Sequence, residues 1–220
     1  MLGYLCILTS CEDSIQITDV SSSQNTLVDY PCLSSANDCT NSFEIKGGTF
    51  NFFSSFHIDS SSQINSAVIT VHGHTRNADE YFDRMISIVS SQGLEEDILV
   101  VSPRFISLYE QSSTEDWYWN STSWKWGMDS YMSASGHSVS SFELMDSLLS
   151  RLSDKNLFPL ITNVLITGHS SGAAFVHMYS ATKGSNTYNH LNLHFSVVNN
   201  QYFLHPDSTR RTENGMLSVI

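Results

Sequence analysis

Apolar residues fall into two rhythms along this chain. Unbroken runs occur at Ala67-Val68-Ile69-Thr70-Val71, Ile98-Leu99-Val100-Val101 and Val164-Leu165-Ile166-Thr167. Such runs predict strands buried on both faces of a parallel sheet. Phe195 to Val198 predicts a fourth strand. Between these runs the spacing becomes helical. Tyr81, Met85, Ile88 and Val89 predict one apolar helix face, and Phe142, Met145, Leu148, Leu149 and Leu152 predict another. Asn77 with Glu80, and Ser140 with Glu143, have the spacing of capping boxes. Ala173 to Ala181 reads as a third helix, and Pro103 and Phe158-Pro159 act as stops. Upstream, Phe43–Lys46 and Thr49–Phe56 flank Gly47-Gly48 and predict a hairpin.

Strands alternating with helices imply an open α/β sheet with parallel strands at its centre. Residues 1–38 are polar, serine-rich and aperiodic, and read as a leader plus an irregular segment. Residues 39–220 read as one domain, with no internal repeat and no dividing linker. The long segment after the Ile98 strand holds Trp117, Tyr118, Trp119, Trp124, Trp126 and Tyr131. It leaves the C-terminal edge of the sheet, where α/β folds bind ligands. Its rings either wall a substrate pocket or pack a long loop onto the core.

Composition narrows the partners. Lys plus Arg is 10 against 22 for Asp plus Glu, a formal charge of -12. That surface repels phosphate backbones, so nucleic acid is not an expected partner. No apolar run approaches the roughly 18 to 20 residues of a membrane span. Met1 to Ser10 is apolar but short, and Leu8-Thr9-Ser10-Cys11 looks like a bacterial lipobox. This start reads either as a processed export signal of a secreted or cell-surface chain, with a lipid anchor at Cys11 as one form of that reading, or as an ordinary apolar start of a cytoplasmic chain. Cys32 and Cys39 bracket a short polar loop; they form a disulfide in an oxidising compartment and remain thiols in the cytosol. No histidine joins the cysteines at zinc-ligand spacing, so no metal is expected. Asn120-Ser121-Thr122 is a glycosylation sequon.

The candidate chemistry centres on Gly168-His169-Ser170-Ser171-Gly172, set between an apolar strand and a helix. Gly-x-Ser-x-Gly in that context is the pattern of a nucleophile elbow, with Ser170 as nucleophile. The competing reading is that the glycines only allow close helix–sheet packing. In elbows of this kind, one oxyanion N–H comes from the residue after the nucleophile and the other from the loop after an earlier central strand. The backbone N–H groups of Ser171 and His74, in His72-Gly73-His74, fit those places. His72 is expected to orient its own loop, and His169 to pack or hydrogen-bond beside the serine.

Four segments carry a family resemblance. Val71-His72-Gly73-His74-Thr75-Arg76-Asn77-Ala78-Asp79-Glu80-Tyr81-Phe82 resembles an "HG..RNA..Y" segment. Gly168 to Ala173 resembles a "GHSAGG" elbow, with Ala173 replacing a glycine. Ser140 to Asp146 is similar to the helix before that elbow. Val198 to Leu204 is more weakly similar to "ANPSSYLYL", since Asn200-Gln201 stands for Pro-Ser. The group is a poorly characterised set of α/β-hydrolases, relatives of polyhydroxybutyrate depolymerases and feruloyl esterase-like enzymes. The resemblance runs from about Phe43 to Arg211. It implies an α/β-hydrolase-type three-layer sandwich with a mostly parallel central sheet. It also implies cofactor-free hydrolysis of a small-molecule carboxylic ester through an acyl-serine at Ser170.

The resemblance further implies a triad in the order Ser, acid, His. After Ser170 the histidines are His177, His190, His194 and His205, and the late acids are Asp207 and Glu213. His177 falls on the helix after the elbow. His190 and His194 precede or begin the last strand, and His205 precedes Asp207, reversing the order. None is expected to serve as base. The last strands of the fold are therefore expected to be missing, the chain to be a fragment or incomplete gene product, and its activity to be weak or absent. The strand at Phe195–Val198 is expected to form a sheet edge. The alternative is a non-catalytic member that binds a ligand or protein through the same cleft.

Overall fold

A computed structural model describes residues 30–59, 63–120, 123–131, 136–183, 188, 190–201, 209–211 and 217–219. The Cys11 region and the residues His205, Asp207 and Glu213 lie outside the described residues. Six strands form one sheet in the order β1-β2-β4-β3-β5-β6: β1 Thr40–Ile45, β2 Gly48–Ser54, β3 Ser66–Val71, β4 Ile98–Pro103, β5 Asn163–His169 and β6 Asn192–Val198. β1–β2 and β2–β4 pair antiparallel, whereas β4–β3, β3–β5 and β5–β6 pair parallel. The hairpin and all four parallel strands thus form where the apolar runs predict them, and β6 lies at the sheet edge. A further short pair, β7 Thr209–Arg211 with β8 Leu217–Val219, is antiparallel and was not anticipated.

The helices are α1 Ala78–Ser91, α2 Ser141–Leu152 and α3 Ser171–Thr182. Alternation along the strands separates two apolar layers. Val100 and Phe53 meet Ala78, Phe82, Ile86 and Val89 of α1. Leu99, Val101, Ile69 and Val71 face the cluster that holds Leu148 of α2 and Phe175 of α3. A three-layer sandwich results, with α1 on one face and α2 and α3 on the other.

Three helix predictions need correction. The buried face of α1 is Ala78, Phe82, Ile86 and Val89, whereas Ile88 is 58 % exposed. Two overlapping i, i+4 stripes exist on this helix, and the one carrying Phe82 fits against Phe53. Asn77 makes no side-chain cap; its amide instead donates to Glu80 Oε2 at 2.9 Å. Ser140 does cap α2, accepting from the Phe142 amide at 3.1 Å, but Glu143 turns away to pair with Lys46.

Asp146 joins α2 to α3. Its carboxylate accepts from the Tyr179 hydroxyl at 2.6 Å and pairs with Lys183, and its carbonyl accepts from Tyr188 at 2.7 Å. Burial, together with Asp146, pushes Tyr179 upward and Tyr188 up to about 12, so both phenols stay protonated as donors. At the other end, a Cys32–Cys39 disulfide closes the loop whose Ser35 amide and hydroxyl bind Asp83 of α1 at 2.7 and 2.8 Å. No helix among the described residues is long and apolar enough to cross a membrane.

Candidate active site

Only Ser170 separates the end of β5 from the start of α3. Its backbone is at φ 58 and ψ -116, a combination that L residues avoid. The surroundings hold it there. The Ser170 amide donates to Val198 O at 3.2 Å, and its carbonyl accepts from Ala174 at 3.1 Å. A Cβ on Gly168 would lie 2.4 Å from the Gly172 backbone, and one on Gly172 would lie 2.2 Å from Val71 O and 2.6 Å from His72 O. Close helix–sheet packing therefore leaves no room for a side chain at either glycine beside the sharp turn.

β3 and β5 pair in register, with Val71 opposite Gly168, so residues 72–74 and 169–171 leave the same sheet end. Because the Ser170 amide already serves Val198, the next amide is Ser171, the first residue of α3. Amides in a helix's first turn have no intrahelical acceptor. His74 is exposed in the neighbouring loop, just after Gly73.

His72 is fully buried and braces that loop. Its Nε2 accepts the Phe105 amide at 3.1 Å, which leaves Nδ1 as the donor to Gly73 O at 2.9 Å. Burial lowers its pKa to about 4 against the opposing pull of the Gly73 carbonyl, so the ring is neutral. Its ring centre lies 4.7 Å from that of Trp124. Arg76, left-handed at φ 57, donates from Nε to Phe105 O at 3.0 Å and from a terminal nitrogen to Asn120 O at 2.8 Å. This side chain ties the His74 loop to the aromatic segment.

His169 hydrogen-bonds beside the serine turn, with Tyr81 Oη 3.4 Å from Nδ1 and Asn199 Nδ2 3.3 Å from Nε2. Tyr81, read from the sequence as part of an apolar helix face, closes the "HG..RNA..Y" segment, and Asn199 lies in the last matched one; neither was expected to meet His169. The described downstream histidines stay away. His177 is seven residues into the helix, about 10 Å along its axis. His194 is four residues before Val198, about 13 Å down the strand, and His190 precedes that strand.

Three of the six aromatic residues singled out in this segment pack inward, whereas Tyr131 is 52 % exposed. Trp117, Trp119 and Trp124 are 2 %, 1 % and 0 % exposed, and Trp124 stacks on Phe105 with ring centres 5.2 Å apart. Their role is to hold the loop on the core. A groove of about 450 Å³ remains outside them, lined in part by Asn120, Met128, Asp129 and Tyr131. Among the described residues, no group of three or more His, Cys, Asp or Glu side chains is placed to hold a metal ion.

No family model matches this chain, and no curated protein matches it. Among solved structures it is similar to LpqC, a poly(3-hydroxybutyrate) depolymerase from Bordetella parapertussis, at 20% identity and TM-score 0.50 over 77% of this chain and 53% of that one. Weaker likenesses are poly(aspartic acid) hydrolase-1 from Sphingomonas sp. KT-1 (20% identity, TM-score 0.39, 64% of this chain and 50% of that one) and the siderophore hydrolase EstA from Aspergillus nidulans (15% identity, TM-score 0.40, 70% and 56%). The chain thus spans about half the length of the depolymerase. The sheet order, the helix layers and the likeness to that depolymerase give this chain the α/β-hydrolase fold.

Proposed function

We propose that this chain belongs to a serine-hydrolase lineage acting on carboxylic esters, with Ser170 as nucleophile. One observation carries the reading: a non-glycine residue is held at φ 58, ψ -116 between a central strand and a helix. Stored backbone strain of that kind clusters at working sites. Ser170 Oγ would attack the ester carbonyl, and the His74 and Ser171 N–H groups would receive the developing oxyanion. Collapse would expel the alcohol and leave an acyl-serine for water to cleave, without metal or cofactor.

Attack on a carbonyl requires a base for the serine proton. Among the described residues, His177, His190 and His194 are not placed to supply it, and on that ground turnover by the 220-residue chain is expected to be weak or absent. That same observation favours a second reading, a non-catalytic α/β-hydrolase-like protein that binds a ligand or protein in this cleft. The Cys32–Cys39 disulfide supports an oxidising compartment, hence a secreted or cell-surface chain.

A fluorophosphonate probe separates the two readings. Labelling that disappears in Ser170→Ala supports the nucleophile. A folded wild-type chain that never labels sinks it and leaves the binding reading.

A further inference from the structure

We propose that His169 is a positioning residue for Ser170, its ring in the tautomer with the proton on Nδ1, tying α1 to the end of β6 across the serine turn. Its functional consequence rests on Ser170 being the nucleophile; the hydrogen-bond arrangement does not.

The tautomer follows from the partners. An amide nitrogen only donates, so Asn199 Nδ2, 3.3 Å away, requires a lone pair on Nε2. The ring proton is then on Nδ1, facing Tyr81 Oη at 3.4 Å. A free histidine side chain favours the other tautomer, so this one reports the two contacts. With both nitrogens engaged by Tyr81 and Asn199, the ring is not assigned as its base.

Each contact leads to one half of the proposed machinery. Tyr81 rises from the first turn of α1, and its hydroxyl lies 3.0 Å from where a Cβ on Gly73 would stand. It therefore sets the ring against the segment that carries His74. Asn199 follows Val198, whose carbonyl holds the Ser170 amide at 3.2 Å. It is left-handed, at φ 56, a conformation asparagine tolerates better than most residues, and this turns its amide back onto the ring. One exposed side chain thus links the oxyanion loop, the nucleophile turn and the last central strand. Both bonds are long, so their expected contribution is to alignment more than to fold stability.

Two measurements test this. In uniformly 15N-labelled wild-type chain at about pH 8, where histidine is neutral, two-bond imidazole correlations should show His169 with Nδ1 protonated and Nε2 bare. Asn199→Ala should shift it toward the Nε2–H form. An Nε2–H ring in the wild type overturns the proposal. In fluorophosphonate labelling, His169→Leu and Tyr81→Phe should lower the maximal inactivation rate about five- to tenfold with the inhibitor's binding constant unchanged. His169→Gln, which keeps a donor and an acceptor, should recover most of the rate. Wild-type labelling that His169→Leu leaves unaltered also overturns the proposal. Should that variant not fold, Tyr81→Phe and Asn199→Ala decide by the same rates. A wild-type chain that does not label removes the nucleophile instead, and the imidazole spectrum still settles the ring.

Discussion

The Phe105 amide donates to His72 Nε2 at 3.1 Å, so a loop after β4 is fastened to the loop after β3 through one neutral imidazole. Protonating that nitrogen breaks the bond inside a cluster that includes Trp124 and Phe105. The folded pKa is about 4, below the ordinary 6.5, so the unfolded chain takes the proton first. The stability this group contributes is full above pH 6.5 and is lost as pH falls toward 4. The loss amounts to about 3 kcal/mol. Urea unfolding at the two ends of that window should show it. His72→Gln, which cannot titrate, should lose about that much less than wild type over the same interval.

Ser170 offers a test in which stability and chemistry part ways. Its backbone conformation suits glycine, so Ser170→Gly should exceed Ser170→Ala in unfolding free energy by about 1 to 2 kcal/mol. Alanine removes the hydroxyl but keeps the Cβ, so the pair isolates torsional strain. Equal denaturation midpoints in the two variants would show that the backbone at 170 is relaxed.

Gly172→Ala should be costly for the opposite reason. The added methyl meets two backbone carbonyls, Val71 O at 2.2 Å and His72 O at 2.6 Å, and neither can rotate away as a side chain would. A loss of about 3 kcal/mol is expected. Chemical denaturation reads it directly, and a near-neutral result would mean that α3 does not approach β3 so closely.

Much of this architecture was legible because burial on both faces leaves an unbroken apolar signature, as in Ala67 to Val71. What failed was local. On α1 both the Tyr81–Met85 and the Phe82–Ile86 stripes have helical spacing, and only the tertiary partner Phe53 selects one. Trp117, Trp119 and Trp124 carried two meanings in sequence, since a wall and a core use the same rings. Their indoles resolved it by burial, with Trp117 and Trp119 donating to the Ile45 and Met128 carbonyls at 3.1 and 3.0 Å. β7 and β8 have three residues each, too few for a period to register. At the site, the glycines announced the turn, but the Tyr81–His169–Asn199 contacts join residues 88 and 30 positions apart and leave no pattern to read.

The Cys32–Cys39 bridge joins residues 7 positions apart, and Cys39 is 2 % exposed against the α1 layer. Closing so short a loop should contribute about 2 kcal/mol through the unfolded state. Reductant should lower the urea midpoint of the wild type accordingly and leave a Cys32→Ser, Cys39→Ser chain unmoved. It should also loosen the Ser35–Asp83 contacts, which amide hydrogen exchange at Ser35 can follow.

The contact of Gly172 with the carbonyls of β3 has one more consequence, and it concerns time. A strained torsion in an ordinary surface loop is visited and abandoned within nanoseconds to microseconds. At Ser170 the peptide cannot swing to an easier torsion without driving Gly172 into Val71 or parting β5 from β6 at Val198. Its relaxation is therefore coupled to parting of the β5–β6 end or of the α3–β3 packing. The serine's posture should be lost only when one of those two contacts opens.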